Sequence, residues 1–378
     1  MLTAESGGCY LVEKVLKLHG GEKRLTIKPG VTIKFGENAG LKIRKAALVA
    51  QGTADEPIVL TGGREMPGYW KGVVVRESNR PDNSLEHVAI EYAGNDSTFS
   101  GVEPAGLMFD DYHGQSTFEI RQTTISHSQG YGLYLEANTD LDFANNTLTK
   151  NKLGAARVAP GALGELDAKS TYEGNENDRI TVPGGTLKKQ EATWAGIGVP
   201  YEVADTITVR KDSFVTVEPG ATFEFTENTG LKFRRSRLHA AGESDAKIRF
   251  TGAREVAGIW KGIVLRESDS VDNLLEHVVV SYAGGDKFSG TRPAGVMFDD
   301  YHGKSTFEIR HSEFSHSAGY GLYVEQNTDL KFADNTLTKN AEGAARIHPA
   351  VVGSLDAAST YSGNEKERVH VPGATVKG

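Results

Sequence analysis

Apolar residues along this chain fall into short runs, and the runs return at a fixed interval. Gly106-Leu107-Met108-Phe109, Gly132-Leu133-Tyr134-Leu135 and Gly154-Ala155-Ala156-Arg157 begin 26 and 22 residues apart. Ile120, Phe143 and Asp167 trail them, and Thr124-Ile125-Ser126, Thr147-Leu148-Thr149 and Thr171-Tyr172-Glu173 follow at spacings of 23 and 24. Each run is mostly β-branched or aromatic, three to five residues long, and bounded by Gly, Asn or Asp, which predicts a strand. Three short strands in every 22–26 residues predict one turn of a right-handed parallel β-helix. The left-handed kind would need hexapeptide repeats, and a sandwich would show hairpin turns such as Asn-Gly. The expected fold class is therefore all-β, a right-handed parallel β-helix solenoid. Tyr10 to Leu18 is expected to be strand as well, because its counterpart Tyr201 to Val209 reads as one.

A longer period contains the short one. Trp70-Lys71-Gly72 recurs as Trp260-Lys261-Gly262, and Leu85-Glu86-His87-Val88 as Leu275-Glu276-His277-Val278, both 190 residues on. Phe109-Asp110-Asp111-Tyr112-His113-Gly114 recurs as Phe298-Asp299-Asp300-Tyr301-His302-Gly303, 189 residues on, so one residue is lost between Gly94 and Pro104. The chain reads as an internal duplication, residues 1–189 and 190–378, with the two units expected to stack as one continuous solenoid.

Stacked turns place equivalent residues above one another, and side chains alternate inward and outward along each strand. Aligned on Gly72, Gly106, Gly132 and Gly154, the inward columns are Val73-Leu107-Leu133-Ala155 and Val75-Phe109-Leu135, the second interrupted by Arg157. The outward columns are Val74-Met108-Tyr134 and Arg76-Asp110-Glu136, repeated as Val264-Met297-Tyr323 and Arg266-Asp299-Glu325. This predicts an exposed apolar and aromatic strip beside a charged one, followed by Asp111-Tyr112-His113 in one unit and Asp300-Tyr301-His302 in the other.

That patch is the candidate ligand site. Asp110 and Glu136 are expected about one ladder spacing apart, near ~5 Å, and Arg76 from the turn below is placed to relieve their repulsion. An aromatic shelf with carboxylates and an arginine suits a neutral or amino sugar. The longest insertion, Asn95 to Glu103, with its counterpart Gly285 to Arg292, precedes the Met108 strand and is placed to wall a groove there, with Phe99 and Phe288 packed on the coil or overhanging a ligand. The four strand glycines suit positive φ or tight corners. Asn146, Asn151, Asn335 and Asn340 read as turn residues whose amides bond to the backbone. His87 and His127 read as turn histidines, and Trp70 and Trp260 as covers over the edge of the core.

Composition narrows the function. Gly is 44 of 378 residues, apolar residues are 38%, and the formal net charge is −8, which disfavours nucleic acid, anionic lipid and polyanionic sugars as bulk partners. No run of about 18 apolar residues predicts a membrane span. Cys9 alone excludes an internal disulfide framework. Met1 to Glu5 lacks the basic start and apolar stretch of a signal peptide.

Lys28-Pro29-Gly30-Val31, Gly52-Thr53-Ala54-Asp55-Glu56-Pro57-Ile58, Trp70-Lys71-Gly72 and Leu85-Glu86-His87-Val88-Ala89-Ile90-Glu91-Tyr92-Ala93-Gly94 together resemble the extracellular bacterial right-handed β-helix repeat proteins of the pectin-lyase-like superfamily. The likeness covers nearly the whole chain. It implies a location outside the cell or on its surface, with the export signal absent from this sequence. That superfamily mixes polysaccharide lyases, glycosidases, epimerases, adhesins and proteins without known activity. The expected function is carbohydrate binding, adhesion or structure. The alternative is a polysaccharide lyase or glycoside hydrolase using Asp110, Glu136 and Arg76 with Asp299, Glu325 and Arg266, because two carboxyls near ~5 Å match a retaining geometry. Polygalacturonase-type motifs occur here in the wrong chain order, so they carry no catalytic role across. No cofactor is expected beyond calcium, for which Asp110, Asp111 and Glu136 are the candidate ligands.

Overall fold

A computed structural model describes residues 2–111, 113–300 and 303–373. Chain contacts separate it into two compact units, Met1–Thr181 and Val182–Gly378. In the first unit, strands Val15–His19, Gly40–Arg44, Val73–Arg76, Ala105–Phe109, Tyr131–Leu135 and Gly154–Val158 lie side by side in that order. A second face is formed by Leu2–Ala4, Arg24–Ile27, Ala47–Gln51, Asn79–Glu86, Ser116–Arg121 and Thr139–Ala144. The third face is formed by Cys9–Val12, Thr32–Phe35, Ile58–Gly62, Val88–Glu91, Thr124–Ser126 and Thr147–Thr149. The chain visits the faces in rotation, and each strand pairs in parallel with its equivalent one coil away. This is the parallel β-helix that the short period predicts.

The second unit repeats the plan. Its first face carries Ile263–Arg266, Ala294–Phe298, Tyr320–Val324, Gly343–Ile347 and Val369–His370 among its strands. Asp269–Glu276, Ser305–Arg310 and Thr328–Ala333 lie on the second face, and Val278–Ser281, Glu313–Ser315 and Thr336–Thr338 on the third. A short 3-10 helix follows the last full coil in each unit, Pro160–Glu165 and Pro349–Ser354.

The inward columns are the core. Leu41, Val73, Leu107 and Leu133 stack in register, as do Ile43, Val75, Phe109 and Leu135, and all are buried. Each such side chain removed from water contributes about 1.5–3 kcal/mol. Trp70 is fully buried, stacks on Phe35 at 4.1 Å between centroids, and donates its indole N–H to the Glu91 carbonyl at 2.8 Å. Trp260 repeats this with Phe225 and Ser281.

The register shifts at one coil relative to the glycine alignment. Tyr131 pairs with Gly154, so Leu133 stacks on Ala156, not Ala155, and Leu135 on Val158. Arg157 therefore does not interrupt a core column; it stands outward above Tyr134. The glycines also divide by cause. Gly72 sits at φ +92°, whereas Gly106 has ordinary backbone and is small because a Cβ there would lie 2.6 Å from the Ile125 Cγ2.

Corners interrupt the parallel ladder, and their N–H groups need other acceptors. Between the second and third faces the turn is made by a single left-handed residue: His87, Gln122 and Asn145 in the first unit, His277, His311 and Asp334 in the second. After four of these corners the next residue, Thr123, Asn146, Ser312 or Asn335, is buried and polar and joins a side-chain relay. Asn146 Oδ1 accepts from the Thr123 N–H at 2.9 Å, its Nδ2 donates to the Ile120 carbonyl at 2.9 Å, and its own N–H is accepted by Ser170 Oγ at 2.8 Å. Ser312, Asn335 and Ser359 repeat the relay. Asn151 and Asn340 do the same at the next corner, as expected. His127 is also a left-handed corner residue, and it stacks on Tyr92.

Asn146→Ala strands a buried N–H and a buried carbonyl, so it should cost about 2–4 kcal/mol in chemical denaturation. Asn145→Gly, one residue earlier at φ +55° and exposed, should be neutral or slightly stabilising. Equal effects of the two changes would contradict the relay.

Candidate functional site

The outward apolar column exists, but it is not exposed. Lys42, Val74, Met108, Tyr134 and Arg157 follow one another in register on the first face. Val74 and Met108 are fully buried, and Tyr134 is only 4% exposed. The insertion at residues 95–103 lies across them: Phe99 and Val102 join Val74, Ala105, Met108, Tyr131 and Tyr134 in a second apolar cluster outside the coil. Thr98 reaches the Met108 sulfur at 3.7 Å. In the second unit Phe288 covers Val264, Met297, Tyr320 and Tyr323 in the same way. The expectation of an exposed aromatic shelf is corrected, because covering the strip with Phe99 and Val102 in one unit and Phe288 in the other removes its apolar surface from water.

The charged column becomes the clasp of that loop. Arg76 Nη2 lies 2.6 Å from Asp110 Oδ2, both side chains being largely covered. The same guanidinium donates to the Ser100 carbonyl of the loop. Lys71 donates to the Ser97 carbonyl and lies 5.9 Å from the Phe99 ring centre. Arg266 pairs with Asp299 at 2.7 Å and donates to the Ser289 carbonyl. Glu136 accepts from the Tyr134 hydroxyl, and Glu325 from the Tyr323 hydroxyl. Burial, and then the hydrogen bond to Glu136, push the Tyr134 hydroxyl well above its ordinary range.

Asp111 does not join the patch either. Its carboxylate is fully buried and accepts three hydrogen bonds: Glu77 N–H at 2.8 Å, Ser116 Oγ at 2.7 Å and Thr139 Oγ1 at 3.1 Å. It thus holds Glu77, a corner residue at φ +53°, and the start of two coils. Asp300 repeats these bonds with Glu267, Ser305 and Thr328. The calcium set is corrected accordingly: Asp110 faces Arg76, Glu136 faces Tyr134 and Asp111 faces inward. Among the described residues no group of three or more His, Cys, Asp or Glu side chains is placed to hold a metal ion. His113 is exposed. Tyr112, Tyr301 and His302 lie outside the described residues.

The sequence reading missed a cavity in the second unit. It has a volume of about 610 Å³ and is lined by Arg292, Arg346, Arg368, His370, Glu342 and Tyr320 among others. Arg346 and His370 extend the outward column above Tyr323. The Tyr320 hydroxyl lies 3.0 Å from His370 Nδ1, and Arg346 Nη1 lies 3.2 Å from His370 Nε2. Glu342 is held by Lys366 at 2.6 Å and Arg368 at 3.3 Å. Burial first, then the charges of Arg346 and Arg368, hold the His370 imidazole below its ordinary value. The signal lay in comparing the two units position by position: Glu103 stands where the second unit has Arg292.

Comparison of the chain with family models, with curated proteins and with solved structures finds no match. No helix among the described residues is long and apolar enough to cross a membrane.

Two outcomes check this geometry. Burial pushes the Asp111 carboxyl up to about 6, against the pull of its hydrogen bonds. An unfolded aspartate titrates near ~3.9. The folded chain therefore holds the extra proton between those values, and the stability it brings is lost as pH rises from about 4 to about 6. Asp111→Asn keeps the shape without the charge, so its melting temperature relative to wild type should climb across that window by calorimetry; a flat difference would contradict the burial. Phe99→Ala should free the loop, giving at least tenfold faster limited proteolysis within residues 95–103 while circular dichroism stays unchanged.

Proposed function

We propose that the chain is a secreted or cell-surface β-helix of the pectin-lyase-like kind that binds carbohydrate without cleaving it. The observation that carries this reading is the cavity of about 610 Å³ in the second unit. Small-ligand sites typically enclose about 300–1,000 Å³ and converge a few polar groups on an aromatic or apolar wall. Here arginine, glutamate and tyrosine groups converge, the set that binds sugar hydroxyls with planar, directional hydrogen bonds.

The state of the carboxylates supports binding over turnover. A glycosidase needs one carboxyl to give a proton and another to act as base or nucleophile. Asp110 and Asp299 are ion-paired to arginines, and Glu136 and Glu325 accept from buried tyrosines. The two aspartates share the arginines that hold the loop, and the two glutamates are engaged by tyrosines that the loop covers. The lyase or hydrolase alternative would require the loop to lift.

A glycan array probed with the intact chain, with product analysis on every glycan retained, tests the proposal. The expected result is retention of at least one carbohydrate with no new product. Release of product by wild type that disappears in Glu136→Gln combined with Glu325→Gln would establish the hydrolytic or lyase alternative. An array with no retained glycan would refute the carbohydrate reading.

A further inference from the structure

The two units are close copies, so the positions where they differ around one site are informative. Six differences fall on the lining of the second-unit cavity or at Lys366, which pairs with Glu342; two of them, Asn95 to Gly285 and Gln129 to Ala318, leave the charge unchanged. Glu103 of the first unit is replaced by Arg292, Leu153 by Glu342, Asn177 by Lys366 and Thr181 by His370. Arg157 and Arg179 are retained as Arg346 and Arg368. With His370 neutral, the exchanges add two charges at Arg292 and one at Lys366 and remove one at Glu342, a net gain of two positive charges. This occurs in a chain whose overall formal charge is −8.

The pairing changes with the charges. In the first unit Glu103 neutralises Arg157 at 2.9 Å, and Arg157 also lies 5.3 Å above the Tyr134 ring. In the second unit an exposed arginine stands where that acid was, and Arg346 lies instead against the His370 ring. The acid that lines the cavity, Glu342, is paired with Lys366 and Arg368. Three guanidinium groups and an imidazole thus converge on a space of about 610 Å³. Like charges brought together repel, and a bound oxyanion relieves this with charge-assisted, bidentate hydrogen bonds.

We infer that the Arg292–Arg346–Arg368–His370 cavity of the second unit binds a sugar bearing a single oxyanion, a carboxylate or a phosphate, and that the first unit's equivalent position does not. The sugar part of this inference rests on the carbohydrate reading; the oxyanion part rests on the charge exchange alone. The chain's net negative charge opposes a long polyanion, so the ligand is a compact acidic sugar or a chain end rather than an extended polyuronate.

The experiment is titration calorimetry of the full chain at low ionic strength with glucuronate, glucose 6-phosphate, inorganic phosphate and glucose. It compares wild type, Arg292→Glu, Arg368→Ala and Lys331→Glu. Arg292→Glu restores the acid of the first unit at an exposed position, so folding is expected to be unaffected. Lys331→Glu makes the same charge change at an exposed position away from the cavity. The expected result is saturable binding of glucuronate or glucose 6-phosphate, weakened at least tenfold by Arg292→Glu and by Arg368→Ala and less than twofold by Lys331→Glu. Comparing the two acidic sugars tells carboxylate from phosphate. Glucose binding as well as glucuronate, with Arg292→Glu without effect, would overturn the oxyanion inference and leave the carbohydrate reading standing. Inorganic phosphate binding while neither acidic sugar does would overturn the carbohydrate reading of this cavity. Equal weakening by Lys331→Glu, or no saturable binding of any probe, would overturn the inference outright.

Discussion

The corners of the coil set the terms for everything else in this molecule. A parallel ladder satisfies its own backbone along each face, but at every corner the chain turns away and leaves N–H groups pointing at the next coil. The chain meets that demand with side chains handed from coil to coil: Asn146 serves Thr123 and is served by Ser170, and Asn335 stands between Ser312 and Ser359. Asp111 and Asp300 are the charged version of the same device. An unsatisfied buried donor costs about 1–3 kcal/mol, so missing links at a few corners would take away a large share of the stability of an ordinary domain, about 5–15 kcal/mol.

The same demand explains why the charged residues of the first face are poor candidates for chemistry. Each unit inserts one long loop, and the loop is fastened by its apolar tip and by cations that reach its carbonyls. Arg76 is shared between Asp110 and Ser100, and Arg266 between Asp299 and Ser289. The side chains form a brace whose strength comes from being covered, since a partly desolvated ion pair with additional hydrogen bonds holds geometry better than an exposed one.

Much of the architecture was legible because a solenoid writes its contacts at short, constant sequence separation. The period, the three faces, the inward columns through Leu133 and the bonding role of Asn146 and Asn151 follow from spacing alone. The alignment slipped at Gly154, where the coil is a residue longer than the glycine spacing implies, and this sent Arg157 to the wrong side of the strand. Periodicity separates inward from outward, but it does not tell outward from exposed. Nothing in the spacing of Phe99 and Val102 says that a loop folds back on the strip it precedes. The cavity of the second unit escaped for the opposite reason: it arises where the repeat is broken, at Arg292 and His370, and a reading that looks for what two copies share passes over what they do not.

The single-residue corners between the second and third faces carry His87, Gln122 and Asn145 in one unit and His277, His311 and Asp334 in the other. Their backbone is held in the left-handed conformation, while their side chains are half-buried or exposed, and in the second unit His277 and His311 stack on one another at 5.2 Å. This edge of each unit is therefore a line of display positions at regular intervals, where residues can be exchanged one per coil without disturbing the winding. A lineage that duplicates such units can alter what this edge presents while the core stays the same.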